Sequence, residues 1–104
     1  MELKKALSEA VRYVSEAESL TGGGETPDSF RKKGSVAIEE VRFDEMENAW
    51  YVSVSFFRPL EPTRIVGLPV HNVQMSDLRT VKTVVMDDAS GEVVDYRSFE
   101  LVPA

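Results

Sequence analysis

The side chains of this chain that could carry out acid–base or nucleophilic chemistry are few and lie far apart in the sequence. His71 is the only histidine, and it could act as a general base only beside a nucleophile or a carboxylate. Three serines of the N-terminal stretch, Ser8, Ser15 and Ser19, have no histidine and no glycine-flanked nucleophile turn nearby. The sequence therefore assigns no catalytic residue and favours a noncatalytic protein over an enzyme.

Acidic side chains form two clusters that could in principle hold a hard cation through oxygen ligands. The first cluster surrounds a predicted hairpin and contains Glu39, Glu40, Asp44, Glu45 and Glu47, and the second contains Asp87, Asp88, Ser90 and Glu92. Neither cluster has the spacing of an EF-hand, and the aspartates of the second can instead cap the amides of their own turn. We expect no metal and no cofactor, and we interpret the first cluster as an acidic recognition surface.

The composition excludes several classes of partner. At 104 residues the chain has room for one domain, and 18 acidic against 12 basic residues give a net charge of -6, which matches nucleic acid and anionic lipid poorly. The absence of cysteine excludes disulfides, and the N-terminal stretch has no apolar run like that of a signal peptide or membrane anchor. We expect a cytoplasmic protein with no nucleic-acid partner and no membrane partner.

The hydrophobic periodicity predicts an α+β fold, in which one N-terminal amphipathic helix packs on a four-stranded antiparallel meander. The helix is predicted over about residues 3–20, with an apolar stripe made of Leu3, Ala6, Leu7, Ala10, Val14 and Ala17. Ser15 and Ser19 are predicted to lie on its opposite, polar side. The strands are predicted over about residues 36–43, 49–57, 80–86 and 92–99.

The segment from Thr21 to Gly34 is predicted to be a connector. Three consecutive glycines end the helix, and Pro27 followed by Asp28 marks a turn. A phosphate-binding loop is disfavoured, because the lysine and hydroxyl residue at Walker spacing are missing and no strand precedes the glycines.

The stretch from Trp50 to Phe57 is the clearest strand, and the remaining elements are expected to pack around it. Its apolar even-numbered residues form one face, for which the helix stripe is the natural partner because its alanines allow a close approach. Tyr51 and Phe57 lie on the other face, which has no partner among the predicted regular elements. That face is therefore a candidate for an external contact.

Two hairpins are predicted around this strand. The apolar residues of the preceding strand change parity between Ile38 and Val41, which predicts a β-bulge at Glu39 and Glu40. Residues 44–48 then form a polar hairpin loop, and residues 87–91 form a turn in which Gly91 takes a positive φ. The pattern of the last strand leaves open which of its faces is buried.

A long segment, residues 58–78, separates the second and third predicted strands. It contains three prolines and a group of apolar residues, Ile65, Val66, Leu68, Val70, Val73 and Met75. Structureless loops of this length are uncommon in compact domains. Two interpretations stay open: the segment folds over the sheet or adds a short edge strand, or it is a partner-binding loop.

The run VVMDDASGEVVDY, from Val84 to Tyr96, resembles the hairpin of PepSY-type domains. The helix that precedes a meander, and the start of a strand at Asn48-Ala49-Trp50, are similar to small bacterial domains with a cystatin-like layout. The resemblance implies a curled antiparallel sheet around one helix and a binding or inhibitory role. It implies no catalytic residue.

Two hypotheses of function follow. The first is a protein-interaction module, inhibitor-like or homodimeric, whose contact surface is formed by Tyr51, Phe57, Ile65, Val66, Leu68, Val70 and Met75. The alternative is a small-ligand-binding protein or enzyme with a pocket on the concave sheet face, closed by residues 58–78. The polar groups of that pocket would be Tyr51, Arg58, Arg64 and His71.

Overall fold

Four antiparallel strands form the sheet that positions every other element in this computed structural model, which describes residues 1–21, 25–57 and 79–98. In chain order the elements are α1 (Leu3–Thr21), α2 (Pro27–Gly34), β1 (Ala37–Asp44), β2 (Ala49–Phe57), β3 (Arg79–Asp87) and β4 (Val93–Ser98). The strand order is β1-β2-β3-β4 with antiparallel neighbours, so the predicted α+β meander is confirmed. Among the described strands the sheet is open, with β1 and β4 at its edges.

The alanine stripe of α1 packs on the face of the sheet that carries the even-numbered residues of β2. Ala6, Ala10 and Val14 are fully buried and belong to one core cluster with Phe30, Val52, Val54, Phe56, Val84 and Met86. Small side chains at the contact let the helix axis lie close to the strands. The predicted partnership between the helix stripe and β2 is therefore confirmed.

A second helix, α2, follows the glycines, so the prediction of a connector is wrong for residues 27–34. The Thr26 hydroxyl accepts a hydrogen bond from the Ser29 amide at 3.1 Å, and Pro27 occupies the first turn, which is the signature of a helix start. The buried ring of Phe30 packs edge-on against Phe56 with centroids 5.2 Å apart. This contact fixes α2 to the sheet.

Ser15 and Ser19 are buried, so the prediction that they face solvent is also wrong. Their hydroxyls donate to the carbonyls of Val11 and Glu16 at 2.7 and 3.0 Å, which satisfies them within the helix. Because α1 packs against α2 as well as against the sheet, its buried arc is wider than the apolar stripe. Neither described helix is long and apolar enough to cross a membrane.

The two hairpin turns are held by aspartates that accept hydrogen bonds from backbone amides. Asp44 accepts from the amide of Glu47 at 3.0 Å, and Asp87 accepts from the amide of Ser90 at 2.8 Å. Each bond favours the ionised carboxylate and lowers the pKa of its aspartate. Gly91 has φ +75°, as predicted for its place in the second turn.

The orientation of β4, which the sequence pattern left open, is set by Tyr96. Its ring lies edge-on to Tyr13 with centroids 5.2 Å apart, and its hydroxyl donates to the buried Glu18 carboxylate at 2.7 Å. Tyr96 therefore faces α1, whereas Val94 is 63% exposed.

Candidate functional site

The outer edge of the sheet at β1 is the first candidate surface. Every residue from Ala37 to Phe43 is exposed, and in the described ranges only β2 pairs with this strand. An edge strand of this kind presents a row of backbone N–H and C=O groups that can pair with another strand.

Three large apolar side chains, Ile38, Val41 and Phe43, line this edge, and we call them the β1 apolar strip. They lie on the helix-bearing face, because Val41 is paired with Val52 of the core and Phe43 with Trp50. Each is 38% exposed. The strip thus extends the core sideways onto β1, where it is only partly covered.

A β-bulge at Glu39 puts this strip on one face, as the sequence predicts. Ile38 is paired with Val54 and Glu40 with Ser53, so Glu39 is the extra residue. Glu39 turns to the face away from the helices, where its carboxylate accepts a hydrogen bond from the Ser55 hydroxyl at 2.5 Å. The bulge therefore restores the alternation, with the strip on one face and the charged side chains of β1 on the other.

The sheet face away from the helices is the second candidate surface, and its most prominent side chain is Tyr51. The guanidinium carbon of Arg42 lies 4.2 Å from the centroid of the Tyr51 ring, and that of Arg97 lies 5.7 Å from it. The Tyr51 hydroxyl donates to the carboxylate of Glu47, which raises the pKa of Tyr51. Tyr51 is therefore placed among charged groups.

Phe57 is covered in a similar way. The Arg79 guanidinium carbon lies 4.5 Å from the centroid of its ring, while Arg79 Nε donates to the Ser55 hydroxyl at 3.0 Å and Nη2 to the Ser35 carbonyl at 2.7 Å. Ser55 is buried and in turn donates to Glu39. These contacts tie the starts of β1 and β3 to the end of β2, which is a structural role for Ser55.

A depression of about 550 Å³ lies beside Tyr51 on the sheet face away from the helices. It is lined by Glu40, Arg42, Tyr51, Ser53, Thr83, Arg97 and Ser98. The hydroxyls of Ser53 and Thr83, both buried, lie 3.1 Å apart in a hydrogen bond. The lining residues are polar or charged, and the two arginines among them suit a ligand that carries an anionic group.

Most of the site residues predicted from the sequence lie outside the described residues. These are Ile65, Val66, Leu68, Val70 and Met75 of the proposed contact surface, and Arg58, Arg64 and His71 of the proposed pocket. Tyr51 and Phe57 are described, and both lie on the face away from the helices. Within the described ranges, no three acidic or histidine side chains come close enough together to hold a metal ion.

The β1 apolar strip and the two arginines beside Tyr51 were not predicted as site residues. One signal was available, because the first strand of a meander has a neighbour on one side only and must be an edge strand. The arginines carry no such signal, since Arg42 and Arg97 come from strands that are distant in the sequence.

No family model, no curated protein and no solved structure matches the chain.

Proposed function

We propose that this protein is a noncatalytic protein-interaction module that associates with a second copy of itself along β1. The observation that carries the proposal is the β1 apolar strip, three large apolar side chains at the exposed edge of the sheet. Natural proteins commonly protect such edges with a covering element, a proline, charged side chains or a β-bulge; β1 has a bulge and charged residues on one face, but it keeps the apolar strip on the other. A strand from a second copy would pair the backbone groups of β1 and bury the strip at the same time.

The polar side chains near the sheet support a binding role over a catalytic one. Ser55 is engaged by Glu39 and Arg79, and the buried Glu18 accepts a hydrogen bond from Tyr96. These groups stabilise the fold through their mutual contacts.

Other features inferred from the sequence remain predictions. They are the participation of Tyr51, Phe57 and the apolar residues of segment 58–78 in a contact, the inhibitor-like role implied by the PepSY resemblance, and the cytoplasmic location.

Replacing Val41 with lysine tests the proposed self-association. Two copies of Val41 would lie at the contact, so we expect the dissociation constant to rise by at least about tenfold, because the two lysines place like charges opposite each other and the exposed part of two valine side chains is no longer buried. Analytical ultracentrifugation over a concentration series measures this constant, and circular dichroism confirms that the variant is folded.

The matched control is Val94→Lys, which places the same charge on the exposed valine of the opposite edge strand. We expect this variant to associate like the wild type. A wild-type chain that stays monomeric throughout the concentration series, or a Val94→Lys variant that dissociates as fully as Val41→Lys, contradicts the proposal.

A second candidate function, the binding of a small organic anion at the Tyr51 depression, is favoured by the two arginines there. The Arg42 guanidinium lies 3.4 Å from Asp44, and that of Arg97 lies 3.6 Å from Asp95, so within the described ranges each makes one long carboxylate contact. A guanidinium has five N–H donors, which leaves several on each arginine for the carboxylate of a ligand.

Titration with benzoate, followed by amide NMR shifts, tests this second function. We expect the amides of Ser53 and Thr83 to shift with benzoate and not with the neutral benzamide, and Arg97→Gln to weaken binding by about tenfold through the loss of a charge-assisted bond. An equal response to both compounds, or none at millimolar benzoate, contradicts an anion site.

A further inference from the structure

We infer that two copies of this chain pair antiparallel along β1 in one register, with a two-fold axis at Val41. This inference rests on the proposed self-association and specifies its geometry. With a two-fold axis normal to the sheet, the helix-bearing faces of the two copies lie on the same side. Residues that are the same number of positions before and after the axis then lie opposite one another. We can therefore ask which residues of β1 lie opposite each other when the strand pairs with an antiparallel copy of itself.

The bulge determines how the steps are counted. The residue Glu39 is skipped in the pairing of β1 with β2, so that Ile38 and Glu40 occupy consecutive steps. The β1 strand of a second copy, pairing on the outer side, would also skip Glu39. Counted outward from the axis, Arg42 faces Glu40 of the second copy, and Phe43 faces its Ile38.

In this register both faces of the strand are self-complementary. On the helix-bearing face, the apolar strip of one copy meets the strip of the other, with Val41 on Val41 at the centre. On the opposite face, two equivalent pairs form between Glu40 and Arg42. Glu40 is exposed, and the Arg42 side chain is 53% exposed, so both can reach across the edge.

Neighbouring registers lack this match. A shift that puts Glu40 on the axis brings the two Glu40 carboxylates together, and a shift that puts Arg42 there brings the two guanidiniums together. A shift that puts Phe43 on the axis pairs Arg42 with Asp44, but it leaves Ile38 without an apolar neighbour and shortens the ladder. The charges therefore select the register that also buries the whole strip.

The other edge strand, β4, also has an acid and an arginine two residues apart, Asp95 and Arg97, but it lacks a strip. The side chain between them, Tyr96, is turned toward α1 by its contacts with Tyr13 and Glu18. Val94 is the only large apolar side chain of this strand that is substantially exposed. β4 thus offers a control with the same charge spacing.

Charge reversal on β1 tests the register. Glu40→Arg alone, or Arg42→Glu alone, places like charges opposite each other at both equivalent pairs, and we expect each to raise the homodimer dissociation constant at least about tenfold. An equimolar mixture of the two variants restores opposite charges at both pairs, and so does the double variant with both changes. We expect both to associate with an affinity close to that of the wild type, as measured by analytical ultracentrifugation and by native mass spectrometry of the mixture.

The matched controls are Asp95→Arg and Arg97→Asp on β4, which we expect to leave the dissociation constant unchanged. If the wild type dimerises and Val41→Lys dissociates it, but the mixture and the double variant stay as weak as the single variants, the register is wrong while association along β1 stands. If the wild type is monomeric, both the register and the proposed function are overturned. Recovery in the mixture, with unaffected β4 variants, supports the register.

Discussion

Replacing Phe56 with alanine is expected to lower the free energy of unfolding by about 3–5 kcal/mol, the usual range for a buried phenylalanine. Phe56 is fully buried on the helix-bearing face of β2. Its ring packs edge-on against Phe30 of α2 at 5.2 Å, so the truncation removes apolar burial and the aromatic contact that holds α2 on the sheet. Urea denaturation at a fixed protein concentration, followed by the fluorescence of Trp50, measures the change.

The neighbouring residue provides the control. Phe57→Ala removes the same side chain from the other face of β2, where the ring is half-buried and contacts the Arg79 guanidinium. We expect it to cost less than half as much as Phe56→Ala. Equal losses in the two variants would show that the two faces contribute alike and would contradict a core confined to the helix-bearing face.

Replacing Ala10 with leucine is expected to lower the free energy of unfolding by about 1–3 kcal/mol, because it adds methylene groups to a closely packed contact. Ala10 is fully buried in the middle of the α1 stripe, in one cluster with Val52 and Val84. The larger side chain has to displace α1 from the sheet or adopt a strained rotamer. Thermal and urea denaturation both report this loss.

Ser8→Leu serves as the control for this prediction, since Ser8 is exposed on the same helix and leucine is the better helix former. We expect a change of no more than about 0.5 kcal/mol, as for most surface substitutions. An Ala10→Leu variant as stable as the wild type would mean that α1 does not contact the sheet through this stripe.

Patterns within short stretches of the sequence predicted most of the fold. The alternation from Trp50 to Phe57 identified both the central strand and its helix-bearing face, and the parity change between Ile38 and Val41 located the bulge. These features depend on the pleat of a strand, which repeats every two residues whatever the surroundings. Gly91 marked its turn for an equally local reason, the positive φ that the turn requires.

The missed helix was also encoded locally. Thr26, Pro27 and Asp28 form a helix-start pattern, and Gly34 stands at the end of the same segment. The segment was nevertheless predicted as a connector, because three glycines precede these helix-start residues and the segment is short. At eight residues it is too short to be stable alone, and the burial of Phe30 against the sheet supplies what propensity does not.

The sequence by itself determined α1, the four strands, their order and the core face of β2, because these follow from periodicity and turn chemistry. Only the tertiary structure decided which apolar residues stay exposed. Ile38, Val41 and Phe43 belong to the same face as Val52, yet α1 buries Val52 and leaves those three at the edge. The area that a helix covers depends on where it crosses the sheet, and that position is set by contacts between residues far apart in the chain. The arginines around Tyr51 come together for the same reason, since strand pairing brings β1 and β4 to either side of β2 and β3.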